Sequence, residues 1–222
     1  MNYLQLCQAT RERVGIHGSG PSTVVSPTDV EADIVASVYD AWIDIQNFRE
    51  DWDWMRATET FLTVAGTTNY STTTIGGPGH RIDRFLPDTL WINDGTNWYK
   101  PTWMANEDNF EFLFKNDTEQ SQPSHWTRIR SDNSITMNPP DAAYSCQIDY
   151  RKTPQTLSGN TDIPEMPAQW HLLIVYSAVQ KLSASIGSQS TGVEYAQRYA
   201  EMLGQLTRRH LPKKSVKTRS IA

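Results

Sequence analysis

Tyr144-Ser145-Cys146-Gln147-Ile148-Asp149-Tyr150-Arg151-Lys152 is the stretch on which the fold class turns. Tyr144, Cys146, Ile148 and Tyr150 alternate with Ser145, Gln147, Asp149 and Arg151, the period of two that gives a strand one buried and one wet face. Upstream, as far as about Glu59, the same period recurs in short runs between turn formers, which predicts strands over Thr60–Ala65, Tyr70–Ile75, Arg81–Leu86, Thr89–Ile92, Asn97–Trp103, Trp126–Arg130 and Ser134–Met137. Gly76-Gly77-Pro78-Gly79, Asn93-Asp94-Gly95 and Ser131-Asp132-Asn133 mark turns. Asn109–Lys115 fits either a short helix or a strand.

On both sides the period changes to 3.6. Leu4, Cys7 (or Leu6), Arg11 and Val14 predict a first helix stopped by Gly15. Ser26-Pro27-Thr28-Asp29 reads as a helix start, and Val30, Ile34, Val38, Ala41, Trp42, Ile45 and Phe48 form its apolar stripe. Beyond Pro164 and Pro167, Trp170–Ile186 is apolar nearly all round in its first half, which predicts a helix buried among others and ended by Gly187. Thr191 and Glu194 suggest a capping box for a last helix through Val193, Ala196, Ala200, Leu203 and Leu206 to about Arg209. The expected class is therefore α+β: a helical bundle from residues 1–58 and 153–210, an inserted antiparallel β domain at 59–152, and an extended tail at 211–222.

Composition narrows the function classes. The chain of 222 residues can bury a sizeable core. Two cysteines, Cys7 and Cys146, suit free thiols in a reducing compartment better than a disulfide scaffold. Met1-Asn2-Tyr3 begins no secretory pattern, and the apolar run around Leu172–Tyr176 is far short of the roughly 20 residues of a membrane span, so a soluble protein with no membrane partner is expected. Twenty basic residues face 25 acidic ones, but six basic residues follow the last acid, Glu201. Residues 1–207 thus hold 14 basic against 25 acidic residues, a net charge of −11. An acidic body with a basic tail implies an acidic partner for the tail, or else a solvated terminus.

Signatures of chemistry are missing. The five histidines stand singly and there is no Cys-x-x-Cys, so no metal or cofactor is expected. Gly15-Ile16-His17-Gly18-Ser19-Gly20 and Gly76-Gly77-Pro78-Gly79-His80 lack the Lys-Ser/Thr of a phosphate loop. Glu50, Asp51 and Asp53 could suggest paired carboxylates, but Asp51-Trp52-Asp53-Trp54 reads more simply as tryptophans inward and aspartates outward. His171, on the most apolar helix, reads as a hydrogen-bonded core or interface histidine. No enzyme is expected. Among the eight tryptophans, Trp91, Trp98, Trp103 and Trp126 fall in the β region, where core, interface and sugar-stacking readings compete.

Several local patterns then combine. Met1-Asn2-Tyr3-Leu4-Gln5-Leu6-Cys7, Asp40-Ala41-Trp42-Ile43-Asp44-Ile45-Gln46-Asn47 and Asp51-Trp52-Asp53-Trp54-Met55-Arg56 resemble the start of head-to-tail adaptor (connector) proteins of tailed bacteriophages. Tyr150-Arg151-Lys152-Thr153-Pro154-Gln155-Thr156-Leu157, Ile163-Pro164-Glu165-Met166-Pro167 and Trp170-His171-Leu172-Leu173-Ile174-Val175-Tyr176 resemble that family's second half. The β region matches only in outline.

The resemblance implies a structural protein of the virion, at the head-tail interface and assembled in the host bacterial cytoplasm. It would form a ring, usually of twelve copies, beneath the dodecameric portal protein. Such a ring continues the DNA channel without binding the genomic DNA specifically, and carries a tail or nozzle protein below. The C-terminal segment would grip the portal through Arg208, Arg209, Leu211, Pro212, Lys213, Lys214, Val216, Lys217, Arg219 and Ile221. Trp42, Trp52, Trp54 and Trp170 are candidates for the subunit interface or the core, since a cyclic ring needs two complementary faces. Two other readings stay open: a nucleic-acid-binding protein using the basic tail, and a β-sandwich carbohydrate-binding module.

Overall fold

The first helix, α1 (Tyr3–Val14), is closed at both ends by its own sequence. The Asn2 side chain accepts from the Gln5 amide at 2.9 Å while Gln5 Oε1 accepts from the Asn2 amide at 2.9 Å, a reciprocal cap. Gly15 ends the helix at φ 81°, a conformation that strains any residue with a Cβ. The computed structural model describes residues 1–18, 20–49, 51–77, 79–114 and 117–210. They fall into two compact units, one from residues 1–54 with 154 onward, the other Met55–Thr153.

In the first unit α1 is joined by α2 (Asp29–Phe48), α5 (His171–Ser185) and α6 (Gln189–His210). α5 packs against the other three, and Leu173, Ile174, Val175, Ala178 and Val179 are wholly buried, as its all-round apolar pattern predicts. The expected Ser26 cap is corrected: Ser26 lies at φ 52°, and the Thr28 carbonyl, accepting from Glu31 and Ala32, starts α2. Val30 and Phe48, the ends of the expected stripe, are exposed, while Ile34, Val38, Ala41, Trp42 and Ile45 are buried. The capping box expected at Thr191 is also corrected, because α6 already runs from Gln189 and the Gly192 amide donates to the Ser188 carbonyl at 3.1 Å. Val193 is 71% exposed, so the face of α6 against α5 is set instead by Leu203, Leu206 and the Tyr176–Tyr195 ring pair. Gly187 at φ 75° makes the turn between them.

The second unit holds two sheets. β1 (Arg56–Leu62) pairs antiparallel with β9 (Ser145–Lys152), from Arg56 opposite Arg151 to Leu62 opposite Ser145. The other side of β9 takes β3 (Ile82–Phe85) and β4 (Trp91–Asn93), and β5 (Trp98–Tyr99) extends β4. The second sheet runs β2 (Asn69–Tyr70), β8 (Ile135–Met137), β7 (His125–Arg128), β6 (Thr102–Trp103); β6 and β7 are the parallel pair in otherwise antiparallel sheets. Inward residues of both, among them Ile92, Cys146 and Ile148 with Tyr70, Trp126 and Ile135, share one core.

Several strand expectations change here. The predicted strand Tyr70–Ile75 is strand only at Asn69–Tyr70; α3 (Thr72–Gly76) follows. Ser71 Oγ accepts from the Thr74 amide at 3.1 Å, so local hydroxyl bonds compete with the ladder and turn a Thr-rich run helical. Asn97–Trp103 is divided between the two sheets at Pro101, which has no amide to donate. Thr60–Ala65 moves back to Arg56–Leu62, where the β9 register dictates pairing. The ambiguous stretch near Asn109 is helical, α4 (Glu107–Phe114), with Asn106 Oδ1 accepting from the Asp108 amide at 2.9 Å. No helix among the described residues is long and apolar enough to cross a membrane.

Candidate functional site

Where α2 ends, Trp52 turns back under the helix and its indole N–H donates to the Ile45 carbonyl at 2.9 Å. Asp53–Met55 then form a single 3-10 turn rather than the extended alternation expected for Asp51–Trp54. The outcome for burial is similar, with Trp52 1% exposed, Trp54 half-buried and Asp51 and Asp53 in solvent. The turn stacks Trp54 on Trp52 with ring centroids 4.6 Å apart and planes at 17°.

Onto this pair the end of α6 docks. His210 meets Trp54 edge-on at 5.8 Å and Trp170 at 6.2 Å, in the offset and edge geometries that aromatic quadrupoles favour. Trp170 Nε1 donates to His210 Nε2 at 3.2 Å, so that nitrogen carries no proton and Nδ1 carries it. Nδ1 faces the Asp53 carboxylate at 3.7 Å, and the Arg209 guanidinium lies 5.8 Å over the Trp170 ring. Three of the four tryptophans singled out in the sequence, from two distant segments, thus hold the last turn of α6, the point from which the C-terminal segment leaves. The fourth, Trp42, is buried inside the helical unit. Arg208 and Arg209 are exposed; Leu211, Pro212, Lys213, Lys214, Val216, Lys217, Arg219 and Ile221 lie outside the described residues.

A second set of contacts, which sequence reading did not single out, closes the helical unit. Gln46 on α2 is 1% exposed; its Oε1 accepts from the Gln155 amide at 2.6 Å and its Nε2 donates to the Gln155 carbonyl at 3.0 Å. Gln155 in turn accepts from the Glu165 amide and donates to the Ile163 carbonyl, both at 2.9 Å. The Asp162 carbonyl accepts from the Tyr3 amide at 2.7 Å, and Asn160 Oδ1 accepts from the Val24 amide at 2.7 Å. Amides of Gly159 and Ser158 on the Asp162 carboxylate lower its pKa. Gln46, Gln155, Ile163 and Glu165 all lie in the stretches quoted for the family resemblance, and that was the available signal. Those stretches are built to tie segments together.

Three other side chains singled out in the sequence, His171, Cys7 and Cys146, are buried. His171 is 2% exposed; it hydrogen-bonds the Met166 carbonyl through Nε2 at 2.9 Å and the Met1 amino group through Nδ1 at 2.8 Å. Burial holds its pKa below the usual histidine value, keeping it a neutral brace. Burial also pushes the Cys7 and Cys146 thiols up to about 12, far from a reactive thiolate. Among the described residues no three His, Cys, Asp or Glu side chains converge as metal ligands would.

With this geometry in place, comparison with known proteins is informative. The family model described as SU10 adaptor protein matches residues 1–219. No curated protein matches the chain at a significant level.

Proposed function

The chain belongs to the SU10 adaptor protein family, and from that premise we propose that it is a structural head-to-tail adaptor of a tailed bacteriophage. Copies form a ring, twelve to match a dodecameric portal, that continues the DNA channel and gives the tail or nozzle protein its platform. The ring sits at the head-tail interface of the virion, is assembled in the host cytoplasm, and performs no catalysis. The observation that carries the reading is the family match over nearly the whole chain. The docked end of α6 supports the role given to the C-terminal segment: His210 is held by Trp54 and Trp170, so a portal-binding arm starts from a rigid root. An arm that orders on docking loses entropy only at that step, and a fixed root reduces the loss. The net charge of −11 over residues 1–207 suits a conduit, since neutralising phosphates takes Lys and Arg.

The test is co-sedimentation with purified portal particles. The full chain joins them, and a chain ending at His210 keeps its helical circular dichroism but fails to join. Undiminished joining by the truncated chain refutes the arm. Class averages of the joined particle report the copy number, and a symmetry other than that of the portal refutes the matched ring.

A further inference from the structure

The outer face of the five-stranded sheet is unlike an ordinary solvated sheet face. Cys146 and Ile148 point into the core, so Gln147 and Asp149 point out, and the register sets Trp91 directly opposite Gln147. Trp98 pairs with Asn93, two residues beyond Trp91 on β4, so the two residues are diagonal neighbours on one face, their Cα atoms roughly 7–8 Å apart by sheet geometry. They are 45% and 48% exposed. Beside Trp91 a cavity of about 320 Å³ is lined by Arg56, Asp88, Thr89, Trp91, Gln147 and Asp149, at the small end of the range for small-ligand sites.

The charges around that cavity cancel within the protein. Arg56 Nε donates to Asp149 at 3.2 Å, Thr58 Oγ1 donates to the same carboxylate at 2.6 Å, and Lys100 pairs with Asp88 at 2.9 Å. Lys100 Nζ also lies over the Trp91 ring, 6.0 Å from its centre, and this long, half-exposed side chain swings aside when a ligand stacks there. The Gln147 amide, exposed beside the ring, has no hydrogen-bond partner among the described residues. The site therefore offers a flat apolar surface, a free amide with two donors and an acceptor, and no net charge.

We propose that this face is a saccharide-binding site, with a neutral pyranose laid on Trp91, its hydroxyls bonded to Gln147 and the rim carboxylate of Asp88, and a further residue of a linear glycan reaching Trp98. The chemistry selects this ligand over others that stack on indoles. A platform for single-stranded nucleic acid couples aromatics to a positive groove; here Arg56 and Lys100, the cations beside the Trp91 indole, each face a carboxylate, and Arg151 and Arg84 continue the row from Arg56 away from Trp91. A protein interface concentrates apolar area at its centre, and here the tryptophans are set among polar side chains. The inference does not depend on the adaptor role, so either can fail alone.

The full chain is applied to an array of immobilised bacterial lipopolysaccharides, capsular polysaccharides and neutral hexasaccharides, and binders are titrated by tryptophan fluorescence. The proposal expects retention on at least one neutral glycan. Trp91→Ala should weaken it about ten-fold, the size of losing one aromatic anchor, and Gln147→Ala should weaken it less. Because more than half of the Trp91 indole is covered, circular dichroism checks that each variant is folded at the assay temperature, and Gln147→Ala, at an exposed side chain, tests the site without that loss of packing. Silence across the array, or a Trp91→Ala variant that binds as well as the parent, overturns the proposal. So does salt-sensitive binding of a dT12 oligonucleotide lost in Trp91→Ala, which makes the face a nucleic-acid platform. Loss of self-association in that variant, seen by sedimentation, makes it a contact between copies.

Discussion

Gln46 offers the sharpest test of how the helical unit is closed. Its side chain supplies both hydrogen bonds to the Gln155 backbone, across 109 residues of sequence, and a third donor contact to the Trp42 carbonyl at 3.3 Å. Gln46→Leu keeps the volume and removes all three. The Gln155 N–H and C=O are then left facing an apolar group, at about 1–3 kcal/mol for each buried unpaired group, and both are partly reachable by water, so the lower half of that range applies. The expected loss is about 2–4 kcal/mol. With a urea m-value of about 2 kcal/mol/M the midpoint falls by about 1–2 M, read from circular dichroism at the helix band. Gln46→Glu separates hydrogen bonding from packing. The carboxylate keeps the acceptor for the Gln155 amide but repels its carbonyl and is desolvated, so its folded pKa rises above the unfolded value of about 4.3. A raised folded pKa means stability is fully present below the unfolded value and is lost as pH rises through the folded one. The deficit of Gln46→Glu relative to the parent should therefore be small near pH 4 and grow toward pH 7. A Leu variant costing less than about 1 kcal/mol, or a Glu deficit that does not change with pH, would refute the clamp.

Two further outcomes follow from burial. His171 has its pKa depressed by desolvation, so from about pH 6.5 downward the unfolded chain takes a proton that the native one refuses, and stability falls. His171→Gln removes this term, and the stability gap between parent and variant should narrow between pH 7.5 and 5.5; a constant gap contradicts the assignment. Cys7 and Cys146, both 0% exposed with thiols pushed up to about 12, should resist a thiol-reactive disulfide reagent at pH 8 in the folded protein and react in urea. Rapid labelling of either native thiol would show that its shell opens.

The candidate site was legible in parts. Trp52, Trp54 and Trp170 stand out in the sequence because large aromatics near the ends of predicted helices must be packed somewhere, but nothing local says that they meet at His210. Gln46 and Gln155 are polar residues with no motif of their own. Only their membership of the family-like stretches marked them, and their pairing needs α2 and the segment before α5 to be side by side.

What the sequence by itself determined is whatever depends on neighbours a few residues away. The 3.6 period of α5, the period of two on β9, the stops at Gly15 and Gly187, the acidic body and the basic tail all follow from local spacing and backbone preference. The order helix, sheet, helix follows from where those periods change. Tertiary structure decided the rest, because each outcome is a choice among distant partners. Thr72–Gly76 is a helix since only a short piece of that run finds a β8 partner and Ser71 caps what remains. Pro101 sends β5 and β6 to different sheets, the register against β9 starts β1 at Arg56, and Trp91 and Trp98 share a face only through pairing with β9 and with each other's strands. Closing loops that reach 109 residues for Gln46–Gln155 and 170 for Met1–His171 costs entropy that local propensity cannot offset, so the pairs that form are set by the packing of the whole unit.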